Sequence, residues 1–209
     1  MKKLKFADIQ LDGGCAVFDF TNTVKTRKSL ATVDYMKSYE YLLLWLEKTQ
    51  LISKKRIKTI SEYSIINKEE SVRSFRKAIR AREMLYSLFS AITEGRDPDP
   101  VVMGEFNKTL CSSFGKIRLT VSSLRSNVNF ADDDALLDEP IRLIMKSAYD
   151  ILTTEKMERI KECPACGWLF IDKTKNGKRR WCDMQVCGSN DKAKRYYHRK
   201  KESLLENNQ

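Results

Sequence analysis

Apolar residues recur at steps of three and four positions between residues 70 and 94, which places them on one face of a helix. The stretch ends at Gly95, and glycine commonly terminates helices. We therefore predict an amphipathic helix over 70–94 that packs against the core. Its apolar positions are Phe75, Ala78, Ile79, Leu85, Leu88, Phe89 and Ile92.

Three further helices are predicted from capping residues and from apolar spacing. Asp34 is placed to cap a helix over 35–50, and Ser53 precedes a second one. Residues 139–160 again carry apolar side chains on one face and lead directly towards a group of cysteines. The first 160 residues are therefore predicted to be mostly helical.

The remaining patterns indicate one more helix and some β-structure. Asp99 and Pro100 combine an N-cap with a proline at the first helical position, which predicts a helix starting there. The apolar run at 15–20 favours a short strand or a buried extended segment. Alternating apolar and polar residues over 116–131 predict a hairpin whose turn is Arg125-Ser126-Asn127. The fold class is thus mainly α with small β-hairpins.

The length of 209 residues is enough for one medium domain and a small module. The formal net charge is +11, and it is distributed unevenly. Residues 161–201 contain twelve lysines and arginines against four acidic residues, a net +8. A basic segment of this kind favours acidic partners, with nucleic acid ahead of an anionic membrane. We expect domains over 1–160 and 161–205, with the boundary near residue 160.

Four of the six cysteines are clustered with the spacing C-x2-C-x15-C-x4-C. Two residues between thiolates let both sulfurs turn onto one metal ion, and a second pair completes a tetrahedron. The chain shows no secretory leader and no long apolar run, so we expect a reducing cytoplasm, where clustered cysteines more often hold metal than form disulfides. The predicted ligands of a structural Zn²⁺ are Cys163, Cys166, Cys182 and Cys187. The alternative is a set of buried or redox-active thiols.

The other two cysteines, Cys15 and Cys111, are expected to be buried and not to bind metal. Residues 168–171 are predicted to form a strand that returns over 179–182 after a turn at Asn176-Gly177. Ser189 or Asn190 is then placed to cap a final helix. This arrangement is a treble-clef-like zinc finger: the tight turn of the first cysteine pair (the knuckle) is followed by a hairpin and by a ligand at the start of a helix.

Basic residues of this module form two groups, one beside the hairpin and one on the last helix. Their spacing on the helix fits a cationic face about one groove wide, which suits phosphate contacts. Trp181, Tyr196 and Tyr197 lie among them and are expected to pack the module rather than stack on bases. The alternative for the charges is a solvated face. The predicted nucleic-acid contacts are Lys178, Arg179, Arg180, Asn190, Lys192, Lys194, Arg195 and Arg199.

The C-terminal stretch resembles the CGNR-type zinc finger of bacterial regulators. The matching residues are Cys166-Gly167-Trp168-Leu169-Phe170 with Asp172, then Arg179-Arg180-Trp181-Cys182 with Met184, then Cys187-Gly188. The Asn and Arg that complete the family's box are replaced here by Ser189 and Asn190. The resemblance implies a DNA-binding role, and the replacement implies weaker binding or a different base preference.

The N-terminal region is similar to the family's helical domain, called ABATE, which carries an L-D-F-x-N-T segment. Phe18-Asp19-Phe20-Thr21-Asn22-Thr23 matches it, with Phe18 in place of the leucine. The resemblance implies a stress-response transcription regulator whose helical domain senses a small-molecule effector. Asp19, Asn22 and Thr23 are the candidate effector contacts, and a polar turn that ties or caps local structure is the alternative.

Four functions remain open from the sequence. A zinc-dependent regulator that binds duplex DNA comes first, followed by an RNA-binding protein and by a protein-interaction module supported by zinc. An enzyme ranks last, because the chain has one histidine, no phosphate-binding glycine loop and no Ser/His/Asp set. We therefore expect no enzymatic activity and no membrane partner, and the sequence leaves a homo-oligomer open.

Overall fold

A computed structural model describes residues 9–29, 32–130, 136–193 and 196–197. Six α-helices and two small antiparallel sheets make up most of this part of the chain. The elements in chain order are α1 (Ala16–Thr21), α2 (Tyr39–Thr49), α3 (Lys54–Ile66), α4 (Lys68–Thr93), α5 (Pro100–Phe114), β1 (Ile117–Val121), β2 (Ser126–Phe130), α6 (Glu139–Thr154), β3 (Ile160–Glu162) and β4 (Leu169–Ile171).

The main core is formed by α4 and the helices around it. The predicted face of α4 is buried, as at Leu85, Leu88 and Phe89. The Phe89 ring meets the Phe18 ring edge-on, with 4.8 Å between centroids. Burying an aromatic ring of this size contributes on the order of 2–3 kcal/mol. The mainly α fold class is confirmed, and the amphipathic pattern of residues 70–94 identified its central helix.

The segment 15–20 is not a strand. It forms the short helix α1, in which Val17, Phe18 and Phe20 are all fully buried. Because neighbouring positions are buried on every side, the run shows no helical period, and its aromatic content resembled that of a strand. The expectation of a strand or an extended segment was therefore wrong.

Two helix boundaries also differ from the predictions. Helix α2 begins after Ser38, and Asp34 instead accepts a hydrogen bond from the Met36 N–H and pairs with Arg82. Helix α6 ends at Thr154, Met157–Arg159 form only a 3₁₀ turn, and Ile160 begins β3. The predicted cap at Asp99 is confirmed, because its side chain accepts a hydrogen bond from the Val101 N–H. The helix expected after Ser53 is also present, and the Ser53 side chain caps it by accepting from the Arg56 N–H.

Both sheets are two-stranded. Strands β1 and β2 pair from Ile117 opposite Phe130 to Val121 opposite Ser126, which confirms the hairpin but moves its turn to Ser122–Arg125. Strands β3 and β4 pair with Glu162 opposite Leu169. Residues 179–182 are not a strand, so the predicted return strand was wrong, and the true partner of β4 precedes the first cysteine.

The C-terminal sheet shares the main core. Ile160, Leu169 and Ile171 pack into the same apolar cluster as α1 and α4. A second, smaller cluster lies beyond it and contains Cys163, Trp168, Phe170, Trp181 and Cys182. The division into domains over 1–160 and 161–205 remains a prediction.

Within the described residues, no helix combines the length and the apolar composition that crossing a membrane requires.

Candidate metal centre and nucleic-acid surface

The first cysteine pair lies in the turn that joins β3 to β4. The Cys163 N–H donates to the Trp168 carbonyl oxygen, and the Gly167 N–H donates to the Cys163 carbonyl oxygen, both at 2.8 Å. Gly167 has φ +76°, and a Cβ there would lie 2.6 Å from the Arg27 Cβ. Glycine is therefore required, both for the backbone conformation and for the contact with the N-terminal region.

The second pair is placed by a capped helical turn. Asp183 accepts hydrogen bonds from the N–H groups of Gln185 and Val186, and it caps the π-helical turn Met184–Gly188 that carries Cys187. Residues 189–193 continue as helix. The helix after the last cysteine is thus present, but Asp183 is its cap, and the prediction of Ser189 or Asn190 in that role was wrong.

The four sulfurs come together at one point. The Cys166 and Cys182 Sγ atoms are 3.5 Å apart, the Cys182 and Cys187 Sγ atoms are 3.7 Å apart, and all four lie within 4.8 Å of one another. A tetrahedral zinc site with Zn–S bonds of about 2.3 Å requires sulfurs about 3.8 Å apart. A disulfide needs about 2.05 Å. The spacing fits a shared metal ion, and the donor set is the one that structural zinc prefers.

The pKa of each thiol in this cluster depends on hydrogen bonds with the other thiols. Hydrogen bonds from the Cys166 and Cys182 thiols lower the pKa of Cys163, and the same contact with Cys163 raises the pKa of Cys182. The protein alone therefore supports one thiolate more readily than four. A divalent cation reverses this balance because it stabilises every thiolate that binds it.

The remaining cysteines lie outside the cluster. Cys111 is exposed on α5, and Cys15 is half-buried at the start of α1. Their expected burial is therefore wrong for Cys111 and only partial for Cys15. Burial raises the pKa of the Cys15 thiol to about 12.

A buried carboxylate holds the loop between the two cysteine pairs. Asp172 accepts hydrogen bonds from the N–H groups of Thr174 and Arg179 and from the Lys161 ammonium group. Burial alone would raise the pKa of Asp172, but these donors hold it well below its usual range. Lys161 also reaches the Gly177 carbonyl oxygen, so the predicted turn at Asn176-Gly177 is fixed from inside.

The predicted nucleic-acid contacts differ in how exposed their side chains are to solvent. Lys178, Arg180, Asn190 and Lys192 are exposed. Arg179 is half-buried, and its guanidinium stacks over the Phe170 ring and donates to the backbone carbonyls of Trp181 and Cys182. Arg179 thus has a structural role, which does not test its predicted contact with nucleic acid. The predicted contacts Lys194, Arg195 and Arg199 lie outside the described residues.

The aromatic residues of the module divide into two groups. Trp181 is buried in the cluster beside the cysteines, as expected for packing, and Arg180 lies over its ring. Tyr196 and Tyr197 are 59% and 70% exposed, so the packing expectation is wrong for both.

The polar residues 19, 22 and 23 are buried, and each has hydrogen-bond partners. Asn22 accepts from the Leu169 N–H at 3.0 Å and donates to the Leu169 carbonyl oxygen at 2.9 Å. Asp19 accepts from the Gly13 N–H, and Thr23 accepts from the buried Arg82. These contacts match the alternative of a structural tie, and effector binding by the three residues remains a proposal without a contact to support it.

The docking of the module on the N-terminal region is what sequence reasoning missed. The Trp168 indole donates to the Val24 carbonyl oxygen, and the Arg27 N–H donates to the Cys166 carbonyl oxygen. Glu162 accepts from Ser90 of α4 and from Lys28. Contacts between residues more than seventy positions apart do not appear in local sequence periodicity. Only the family resemblance had singled out Asn22, and it did so as a candidate effector contact.

Asp19 provides a prediction on pH and stability. Burial raises its pKa to about 6, although the hydrogen bond from Gly13 opposes the shift. A folded pKa above the unfolded value of about 4 means that the stability contributed by the neutral carboxyl is lost as pH rises through 6. Asp19→Asn keeps an acceptor for Gly13 but cannot ionise. We expect this variant to be more stable than the wild type by about 1–3 kcal/mol at pH 7.5 and similar to it at pH 4.

Urea unfolding followed by circular dichroism at the two pH values checks this expectation. Subtracting the wild-type result at each pH removes the effects of other titrating groups. A variant that is less stable at pH 7.5 would mean that the carboxylate form is the one the fold requires.

The geometry defines the class of protein: a helical domain that carries a C-terminal finger built around four cysteines. Residues 14–155 match the model of the ABATE family, described as "putative stress-induced transcription regulator", and residues 159–200 match the CGNR zinc finger. The first match covers more than half of the chain, so the chain belongs to the ABATE family, with a CGNR zinc finger at its C-terminal end. A comparison with curated proteins gives no match.

Proposed function

We propose that the chain is a regulator that binds Zn²⁺ through its four clustered cysteines and binds duplex DNA through the finger that they organise. The observation that carries the proposal is the exposure of cations on both segments next to the metal centre. Lys178 and Arg180 lie on the loop before Cys182, and Lys192 lies on the helix after Cys187. Zinc binding and DNA binding are separate parts of this proposal, and each has its own test.

Other cations of the finger are engaged within the protein. Lys161 is bonded to Asp172, Lys173 donates to the Gly14 carbonyl oxygen, and Arg159 donates to the Thr174 carbonyl oxygen. These three cations are held by bonds within the protein, while Lys178, Arg180 and Lys192 face solvent. Binding of phosphate by these cations costs less conformational entropy when the backbone that carries them is already ordered, because only the side chains then lose freedom.

A second candidate is single-stranded RNA, favoured by one observation. Tyr196 and Tyr197 are exposed, with their rings 5.9 Å apart. Exposed aromatic rings beside cations are a platform on which unpaired bases stack. Duplex DNA has no unpaired bases to offer, so the two candidates differ in their dependence on these tyrosines.

The proposed DNA binding predicts a steep dependence on salt. If about five cations contact phosphate, the log–log slope of affinity against salt on duplex DNA is about −4 to −5. Removing three cations by Lys178→Ala, Arg180→Ala and Lys192→Ala should flatten the slope by about 2–3. Removing Arg195 and Arg199 together should flatten it by about 2. Fluorescence anisotropy of a labelled duplex over a salt series measures these slopes.

The matched control removes three exposed lysines of α3, Lys54, Lys55 and Lys58, and should leave the slope unchanged. A labelled single strand of RNA, with and without Tyr196→Ala and Tyr197→Ala, tests the second candidate. Affinity that does not change with salt, or that the finger variants leave intact, would contradict nucleic-acid binding. Protein capture that persists after nuclease treatment would then favour the protein-interaction module.

A further inference from the structure

A groove separate from the finger lies between α4, α5 and α6. Its volume is about 550 Å³, within the range of small-molecule sites. Ala81 and Met84 of α4 and Ile141 of α6 give it an apolar base, and each of these residues is buried. The groove therefore offers concave apolar surface at a place that none of the predicted site residues occupies.

The walls of the groove are positively charged. Among the residues that the structure describes, five cations and two carboxylates line it, a net +3. Lys77 is paired with Asp138 at 2.7 Å, and Arg142 is only 5% exposed, so its charge is fixed within the wall. Arg80 of α4 and Lys108 of α5 are exposed, and neither forms an ion pair within the described part of the chain.

Hydroxyl groups on α5 do not compete with the cations as donors. Ser112 and Ser113 both donate to the Thr109 carbonyl oxygen, and Thr109 donates to the Glu105 carbonyl oxygen. Their protons are used inside the helix, so the donors available to a ligand are the ammonium and guanidinium groups. Such donors select for negative charge rather than for neutral acceptors.

We propose that this groove binds a small organic anion. The apolar part of the ligand lies on Ala81, Met84 and Ile141, and its carboxylate or phosphate meets Arg80 and Lys108. A nucleic-acid backbone fits less well, because it needs an extended charged surface rather than a concave site with an apolar base. The proposal goes beyond DNA binding by the finger and does not depend on it.

Isothermal titration calorimetry with phenyl phosphate and with benzoate, at constant ionic strength, tests the proposal and separates the two anion chemistries. Saturable binding of at least one anion is expected, and neutral benzyl alcohol should bind more weakly. Arg80→Ala combined with Lys108→Ala should weaken the anion by about tenfold, as the loss of two partly exposed charge contacts predicts.

The matched control removes two exposed cations elsewhere, by Arg76→Ala on α4 and Lys58→Ala on α3, and should bind the anion like the wild type. Absence of saturable binding by both anions overturns the proposal, as does a groove variant that binds like the wild type. Displacement of the anion by a short DNA duplex also overturns it, since the groove would then be a nucleic-acid contact. Duplex binding by the finger is measured separately, so the failure of one proposal leaves the other standing.

Discussion

Removal of zinc is expected to unfold the segment from Asp172 to residue 193 while leaving the helices α2 to α6 folded. The apolar cluster around the cysteines is small, with five buried members in the described part of the chain. A structural zinc site contributes about 10–16 kcal/mol in isolated fingers, which exceeds what so small a cluster supplies. By contrast, Ile160, Leu169 and Ile171 pack into the main core, so β3 and β4 should keep much of their structure without metal.

Hydrogen exchange measured by mass spectrometry, before and after treatment with a strong chelator, locates the change. Peptides from 172–193 should lose protection, and peptides from α4 should keep it. Metal analysis should find one zinc per chain in protein purified without chelator, and none after Cys182→Ser. Cys111→Ser is the matched control, because this exposed cysteine lies outside the cluster, and it should retain one zinc.

Three results would contradict this prediction: a wild-type protein without zinc, a Cys182→Ser variant with a full equivalent, and unchanged protection of 172–193 after chelation. The first result tests metal content, the second tests which residues are ligands, and the third tests whether the fold depends on the metal. Zinc content is measured without nucleic acid, so this result is independent of the salt experiment.

The sequence was most informative where one local rule decides the structure. The amphipathic pattern identified α4, the Asp99-Pro100 pair marked the start of α5, and cysteine spacing selected the four residues whose sulfurs converge. In each case the structure depends on neighbours that are close in sequence or on a cysteine spacing that is typical of metal sites. Long-range packing was not needed for these predictions.

The failures have the opposite cause. Helix α1 is enclosed on all sides by tertiary contacts, so its apolar run lacks a period. The partner of β4 was predicted at 179–182, whereas the true partner β3 precedes Cys163. The prediction missed β3 because the helix predicted over 139–160 left too short a segment before Cys163 to indicate a strand. Arg179 looked like a free cation, but its carbonyl acceptors and the Phe170 ring are visible only in three dimensions.

Asn22→Ala is expected to destabilise the protein by about 2–6 kcal/mol. Asn22 is fully buried, and its amide bonds both the N–H and the carbonyl oxygen of Leu169 on the free side of β4. Alanine leaves both backbone groups without a partner, and each buried unsatisfied group costs about 1–3 kcal/mol. Urea unfolding measures the loss, and Asn107→Ala on the exposed side of α5 is the control that should change stability by less than about 0.5 kcal/mol.

Asn22→Asp separates this hydrogen-bonding role from simple packing. The introduced carboxylate still accepts from the Leu169 N–H, but it directs a second negative oxygen at the Leu169 carbonyl oxygen. Burial and this repulsion should raise its folded pKa above the unfolded value of about 4, so stability is present below that value and is lost as pH rises through the folded pKa. The deficit relative to wild type should therefore be large at pH 7.5 and smaller at pH 5. A deficit that is independent of pH, or an alanine variant as stable as the wild type, would show that the Asn22 bonds to Leu169 do not hold the finger on the helical domain.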